Sequence, residues 1–313
     1  MEMKKLTCVF IALLTLLSAA AGCVKRKDPT ADNPPKVPQS ALATADSGTP
    51  ATADEATGRK IQVSDSSLGD VWITEWANVP KSDLTGDNFT SDDTFKYYNV
   101  NGSSASMEGI DVSDFSGEID WQKVKDAGVD FAMIRLGGRF YGEEGKMFVD
   151  ENAVANFRGA QAAGIKAGGY FYSKAVNAEE ARAEAQFLKA VLDDIVPDLP
   201  IAFDWEIVED EEARNDTVDG AALTACARAF CDEVKSYGFE PMIYAPTREL
   251  YFKYDLSQLA DVAVWVKEYN DTPTFYYRSA MWQYSDSGVI DGIEGTVDLD
   301  IYFTDPGKGS ASE

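Results

Sequence analysis

The sequence predicts an α/β fold: a barrel of five strand–helix units closed by three further strands. Three observations predict it. Strand-like and helix-like segments alternate five times after Gly109, the pattern of a parallel sheet covered by helices. The last strand-like segments, VAVWVKEY, SAMWQYS and TVDLDIYF, leave little room for full helices between them, which fits barrel closure better than an open doubly wound sheet. No glycine-rich phosphate fingerprint follows the first strand, since GIDVSDFSG is no GxGxxG, and nucleotide binding is not expected.

Taken in order, the chain opens with Lys4 and Lys5, the apolar run CVFIALLTLLSAAA and Gly22-Cys23. Residues 1–22 read as an export signal, short for a stable transmembrane helix of about 20 apolar residues. Small residues before Gly-Cys resemble a bacterial lipobox, in which Cys23 is lipidated and becomes the mature N-terminus; Ala20 stands where the pattern usually has Leu. The expectation is an exported chain held at the cell surface by a lipid on a bacterial membrane, with ordinary secretion or an uncleaved anchor as the alternative. Residues 23–58, rich in Pro, Ala, Thr, Ser and Asp, predict a disordered acidic tether. In residues 59–106 the segments IQV, VWITEW and FKYYNV look strand-like between polar spacers, either a small β extension or a partly ordered linker.

The barrel is expected over 107–304. GIDVS, DFAMIRLG, KAGGYFYS, IAFDWEIV and EPMIYAP are its first five strands. The helices between and after them are IDWQKVKDAG, ENAVANFRGAQAAG, AEEARAEAQFLKAVLDDI and AALTACARAFCDEVKSYG. In the last, Leu223, Cys226, Ala227, Phe230, Cys231 and Val234 form one broad stripe and Gly238 predicts the C-cap. The two cysteines, five apart, are badly placed to bridge and read as small core fillers. Residues 305–313 read as a flexible tail.

Composition removes several function classes. The 313 residues are 45% apolar, enough for a real core. A net charge of −25 argues against nucleic acid and anionic membrane surfaces as partners. The chain has no histidine, which excludes every His-dependent triad, dyad or zinc motif. Carboxylates remain as the acid/base groups, and no cofactor or metal is expected.

The strand IAFDWEIV carries those carboxylates. Alternation puts Ala202, Asp204 and Glu206 on one face and Ile201, Phe203, Trp205 and Ile207 on the other. An unpaired buried carboxylate is costly, so the acidic face looks into something polar: the mouth of a barrel, where strand ends carry chemistry, or the solvated side of an edge strand. Other strands also carry polar or aromatic groups near their ends: Asp111, Arg135, Tyr170 and Tyr172, Tyr244, Trp265, Trp282 and Gln283, and Asp298. Each alone also suits a cap, an ion pair or a core filler; together they suit sugar chemistry, in which aromatic faces stack on rings and a carboxylic acid protonates the glycosidic oxygen. Neighbours two apart on a strand lie roughly 6.5–7 Å apart at Cα. Like charges that close, and burial, raise one carboxyl pKa. The expectation is that Glu206 is the proton donor, kept partly neutral by Asp204, with the second role left open among a base, a nucleophile and a stabilised substrate acetamido group.

The ordered blocks GIDVSDFSGEIDW, FAMIRLG, GGYFYS, LPIAFDWE, PMIYAP, VWVKEY, MWQYSDSGVIDGI and TVDLD resemble glycoside hydrolase family 25, over about residues 107–304. The resemblance implies an irregular TIM-like (β/α)5β3 barrel and a lysozyme activity, cleavage between N-acetylmuramic acid and N-acetylglucosamine in peptidoglycan glycan strands. It implies Glu206 as catalytic acid, Asp204 beside it, Asp111 and Asp298 as further active-site carboxylates, and Tyr170, Tyr244 and Trp282 lining the glycan groove. Many members carry His or Gln where this chain has DFSG, which affects contacts from Asp114 to Gly117. A chitinase-like enzyme is the nearest rival, but its longer acidic pattern wants an acid at Ala202. A non-catalytic glycan-binding lipoprotein is the other alternative. The acidic balance predicts repulsion from anionic wall polymers, hence a membrane-tethered enzyme working on nearby wall; the chain is expected to be monomeric.

Overall fold

The computed structural model describes residues 56–304, except 66–67, 143 and 208–211. The signal, Cys23, most of the expected tether and the tail lie outside the described residues. The extension is β. Strands β1 (Ala56–Asp65) and β2 (Gly69–Trp76) form a hairpin, and β3 (Phe89–Ser91), β4 (Lys96–Val100) and β5 (Ser103–Ser104) form a small antiparallel sheet. All three strand-like segments of the sequence lie in or overlap these strands.

The barrel follows: β6 (Ser106–Val112), α1 (Trp121–Asp126), β7 (Phe131–Arg139), β8 (Met147–Val149), α2 (Ala153–Ala162), β9 (Lys166–Ser173), α3 (Ala178–Leu192), β10 (Ile201–Trp205), α4 (Gly220–Ser236), β11 (Pro241–Pro246), α5 (Thr247–Phe252), β12 (Ala263–Lys267), β13 (Met281–Gly288) and β14 (Val297–Phe303). Strands β6, β7, β9, β10, β11, β12 and β13 run parallel in that order, and β14 closes the ring antiparallel to both β13 and β6. This is the expected five strand–helix units and three closing strands. The short β8 on the edge of β7 was not expected, and α5, the helix of the fifth unit, had no segment assigned to it from the sequence.

Local chemistry sets the boundaries. Asn177 and Asp219 cap α3 and α4, each side chain accepting from a first-turn N–H. Gly238 ends α4 with φ +81°, a conformation that glycine adopts without strain. Alternation along each strand then divides the core into two compartments. Ala202, Met133, Met242, Trp265 and Met281 meet inside the barrel. Ile201, Phe203, Trp205, Ile243 and Val266 pack outward with helix residues such as Leu188 and Phe230. Each fully buried Leu, Ile, Phe or Met contributes about 1.5–3 kcal/mol relative to exposure. Cys226 and Cys231 are free and buried in the outer compartment, and burial pushes both thiols up to about 12, the behaviour of core fillers.

The extension packs on the closing strands. The Phe89 ring stands edge-on to Trp282 at 5.6 Å and to Phe303 at 6.1 Å. The Lys96 backbone N–H donates to the Tyr284 hydroxyl at 3.2 Å, and the Trp76 N–H donates to the Tyr277 hydroxyl at 2.9 Å. Long-range aromatic burial of this kind is invisible to local sequence patterns.

Candidate active site at the barrel mouth

Parity places the acids. Ala202 lies in the inner compartment, so Asp204 faces inward on the same side of β10, and Glu206 follows just past the strand end. The backbone there is pinned: the Glu206 carbonyl accepts from Lys174 Nζ at 2.5 Å and from Asn215 Nδ2 at 3.0 Å. The Glu206 side chain meets Lys267 Nζ at 3.4 Å from Oε1. Asp204 is 2% exposed and Glu206 8%.

Asp204 is thus the deeper of the two. Burial, and then the neighbouring Glu206, raise the Asp204 pKa well above the usual carboxylate range, against the lowering influence of Lys174, Lys267 and Arg135. Asp204 Oδ1 has no hydrogen-bond partner among the described residues. Asp204, the deeper of the two groups, loses more hydration. Lys174 is fully buried and its pKa is lowered, first by burial. A third acid, Glu249 on α5, is buried and raised to about 7, chiefly by burial and further by Glu206.

The opposite wall comes from β14, β6 and β13. Antiparallel pairing sets Asp298 directly across from Asp111. Gln283 Nε2 donates to Asp111 Oδ2 at 2.7 Å, while its Oε1 accepts from the hydroxyls of Tyr244 at 2.9 Å and Tyr269 at 3.2 Å. Below them Trp265 Nε1 donates to Asp300 Oδ1 at 2.8 Å. Asp300 is fully buried, and burial followed by the charge of Asp298 raises its pKa well above the usual range.

The remaining expected residues divide into two groups. Tyr170, Tyr244 and Trp265 pack together inside the barrel, with ring centroids 6.1 Å apart for Tyr170 and Trp265 and 4.6 Å for Tyr244 and Trp265. Tyr172 lies under the Lys174 ammonium, 4.0 Å from its ring centroid. Arg135 faces inward but is occupied, its Nε donating to Asp150 Oδ2 at 2.8 Å and its Nη2 to Asp114. Trp282 does not line the mouth. Gln283 points in, so its neighbour points out, and Trp282 is fully buried against Phe89 with Nε1 donating to the Glu268 carbonyl at 2.7 Å.

Sequence reasoning missed Lys174, Lys267, Asn215, Asp300 and Tyr269. Asp300 carried a readable signal, since it repeats the spacing of Asp204 and Glu206 in TVDLD. A lysine at a strand end reads as a solvated terminus, and only the closed ring shows that both lysines turn toward Glu206. The arrangement offers a buried carboxyl with a raised pKa beside a second acid, two further carboxylates across the mouth, and fixed ammonium groups. Such a set can donate a proton, stabilise a cationic transition state and hold hydroxyl groups.

Comparison with known proteins gives this geometry its context. Residues 110–293, more than half of the chain, match the family model described as "Glycosyl hydrolases family 25". The chain is 28% identical over 215 residues to the autolytic lysozyme of Clostridium acetobutylicum, covering 65% of this chain and 61% of that protein. It therefore spans less than two thirds of that relative's length. Among solved structures, the bacterial lysozyme from Streptomyces coelicolor superimposes with a TM-score of 0.52 at 23% identity, covering 66% of this chain and 93% of that one. The modular autolysin LytC from Streptococcus pneumoniae, in complex with a synthetic peptidoglycan ligand, does so with a TM-score of 0.54 at 24% identity, over 81% of this chain and 57% of that one. The barrel, its strand order and the family match agree: this chain belongs to glycosyl hydrolases family 25.

Proposed function

We propose that the chain is a peptidoglycan hydrolase, an N-acetylmuramidase that cleaves the β-1,4 bond between N-acetylmuramic acid and N-acetylglucosamine. The observation that carries the reading is the pair Asp204 and Glu206 at the mouth with Asp111 and Asp298 opposite. Similarity to an autolytic lysozyme and to an autolysin solved with a peptidoglycan ligand supports the choice of substrate. Glu206, the more exposed acid, protonates the glycosidic oxygen as the bond to the anomeric carbon breaks. Asp204 lies beside it on the inner side of the same strand. Lys267, whose pKa is raised by the surrounding acids against the cost of burial, meets the negative charge left on Glu206. Asp111 and Asp298 face the developing positive charge at the anomeric carbon, and Gln283 holds Asp111 in place. Water completes the reaction.

The test is digestion of purified peptidoglycan with mass spectrometry of new reducing ends, for wild type and Glu206→Gln. Muramic acid ends from wild type, lost by a factor of about 10²–10⁴ in the variant, are expected. Glucosamine ends would move the cleavage site. Binding without any product would replace the hydrolase with a glycan-binding protein.

A further inference from the structure

Outside the mouth, the structure holds a cleft of about 760 Å³ between the extension and the barrel, within the range of about 300–1,000 Å³ that small-ligand sites occupy. One wall is the loop 91–96 that leads into β4; the other is formed by residues 269–271 after β12 and by β13 beyond Tyr284. The first wall lies outside the family match of residues 110–293 and belongs to the extension.

Three features make the cleft a built site. The walls are tied together: Lys96 Nζ donates to the Asp271 carbonyl at 2.9 Å and its backbone N–H donates to the Tyr284 hydroxyl. The lining joins aromatic rings, Tyr269 and Tyr284, to hydroxyls, an amide and carboxylates, among them Ser285, Ser287, Asn270 and Asp92. Stacking faces beside dense hydrogen-bonding groups are the chemistry that recognises a saccharide. The cleft also adjoins the mouth through one side chain. Tyr269, 41% exposed, lines the cleft, while its hydroxyl donates to Gln283, which in turn donates to Asp111.

We propose that the extension builds an additional saccharide subsite, which takes a further amino-sugar unit of the same glycan strand whose bond is cut at the mouth. This rests on the hydrolase reading above and extends it. A long glycan then gains contacts that a short one lacks, and the gain appears in kcat/KM.

The experiment compares wild type, Ser287→Trp and Ser287→Ala on soluble peptide-free glycan oligomers of four and eight sugars. Ser287 is exposed on the cleft wall, so tryptophan fills the cleft without disturbing the core. Wild type is expected to prefer the octasaccharide by about tenfold or more, the factor that about 1.4 kcal/mol of extra binding supplies. Ser287→Trp is expected to abolish that preference while retaining the tetrasaccharide rate, and Ser287→Ala to keep it. A length preference that survives the tryptophan, or its absence in wild type, overturns the subsite alone. Wild type that cleaves neither oligomer nor peptidoglycan overturns the hydrolase reading, and the subsite with it.

Discussion

Replacing Glu249 by Gln removes a buried acid that opposes folding at neutral pH. Its carboxyl sits on α5 beyond the end of β11, buried, and is raised from 4.5 to about 7 by loss of hydration and by Glu206. The native state therefore holds the proton more tightly than the unfolded chain, and stability falls as pH rises through this window. At about 1.36 kcal/mol per pH unit, the interval from 4.5 to about 7 amounts to about 3 kcal/mol. Glutamine copies the shape of the protonated acid and cannot ionise. The two proteins should match near pH 4 and diverge as pH rises, with the variant about 3 kcal/mol more stable at pH 8. Urea unfolding followed by tryptophan fluorescence at several pH values measures this; with an m-value near 3 kcal/mol/M the midpoint moves by about 1 M. A midpoint difference that stays constant from pH 4 to pH 8, or a variant that is weaker at pH 8, would refute the burial argument.

Two further outcomes follow from the packing and from the N-terminal sequence. Trp282→Ala should lose about 3–5 kcal/mol by opening a void under Phe89 and unseating the extension; urea unfolding and limited proteolysis near residues 89–104 would show it. Cys23→Ser should release the protein from cell membranes into the medium, detected by fractionation, if a lipid on Cys23 is its anchor; unchanged membrane retention would reject the lipobox reading.

Much of the fold was legible because strand parity is a local property. The alternation in IAFDWEIV placed Asp204 and Glu206 on the inner face, and the short spacing of the last three strands predicted closure. The same rule could have excluded Trp282 from the mouth: in MWQY, Gln283 and Trp282 cannot both face inward. Depth was not legible. How far burial raises the pKa of an acid such as Asp204 depends on how much water it retains once the ring is closed. The ion pairs of Arg135 with Asp114 and Asp150, and the extension's seat on Trp282, depend on residues far apart in the chain.

Gln283 has a mechanical consequence. Its side chain leaves β13 and reaches Asp111 on β6 in one direction and Tyr244 on β11 in the other, passing over β14 and β12 in the strand order. Side-chain bonds thus tie three of the eight barrel strands together across a span of five, like a chord across a hoop. An aperture braced in this way has a fixed gauge. The strand ends are held at one spacing in advance, so the barrel itself need not close on whatever it binds, and adjustment falls to the loops above it and to the ligand.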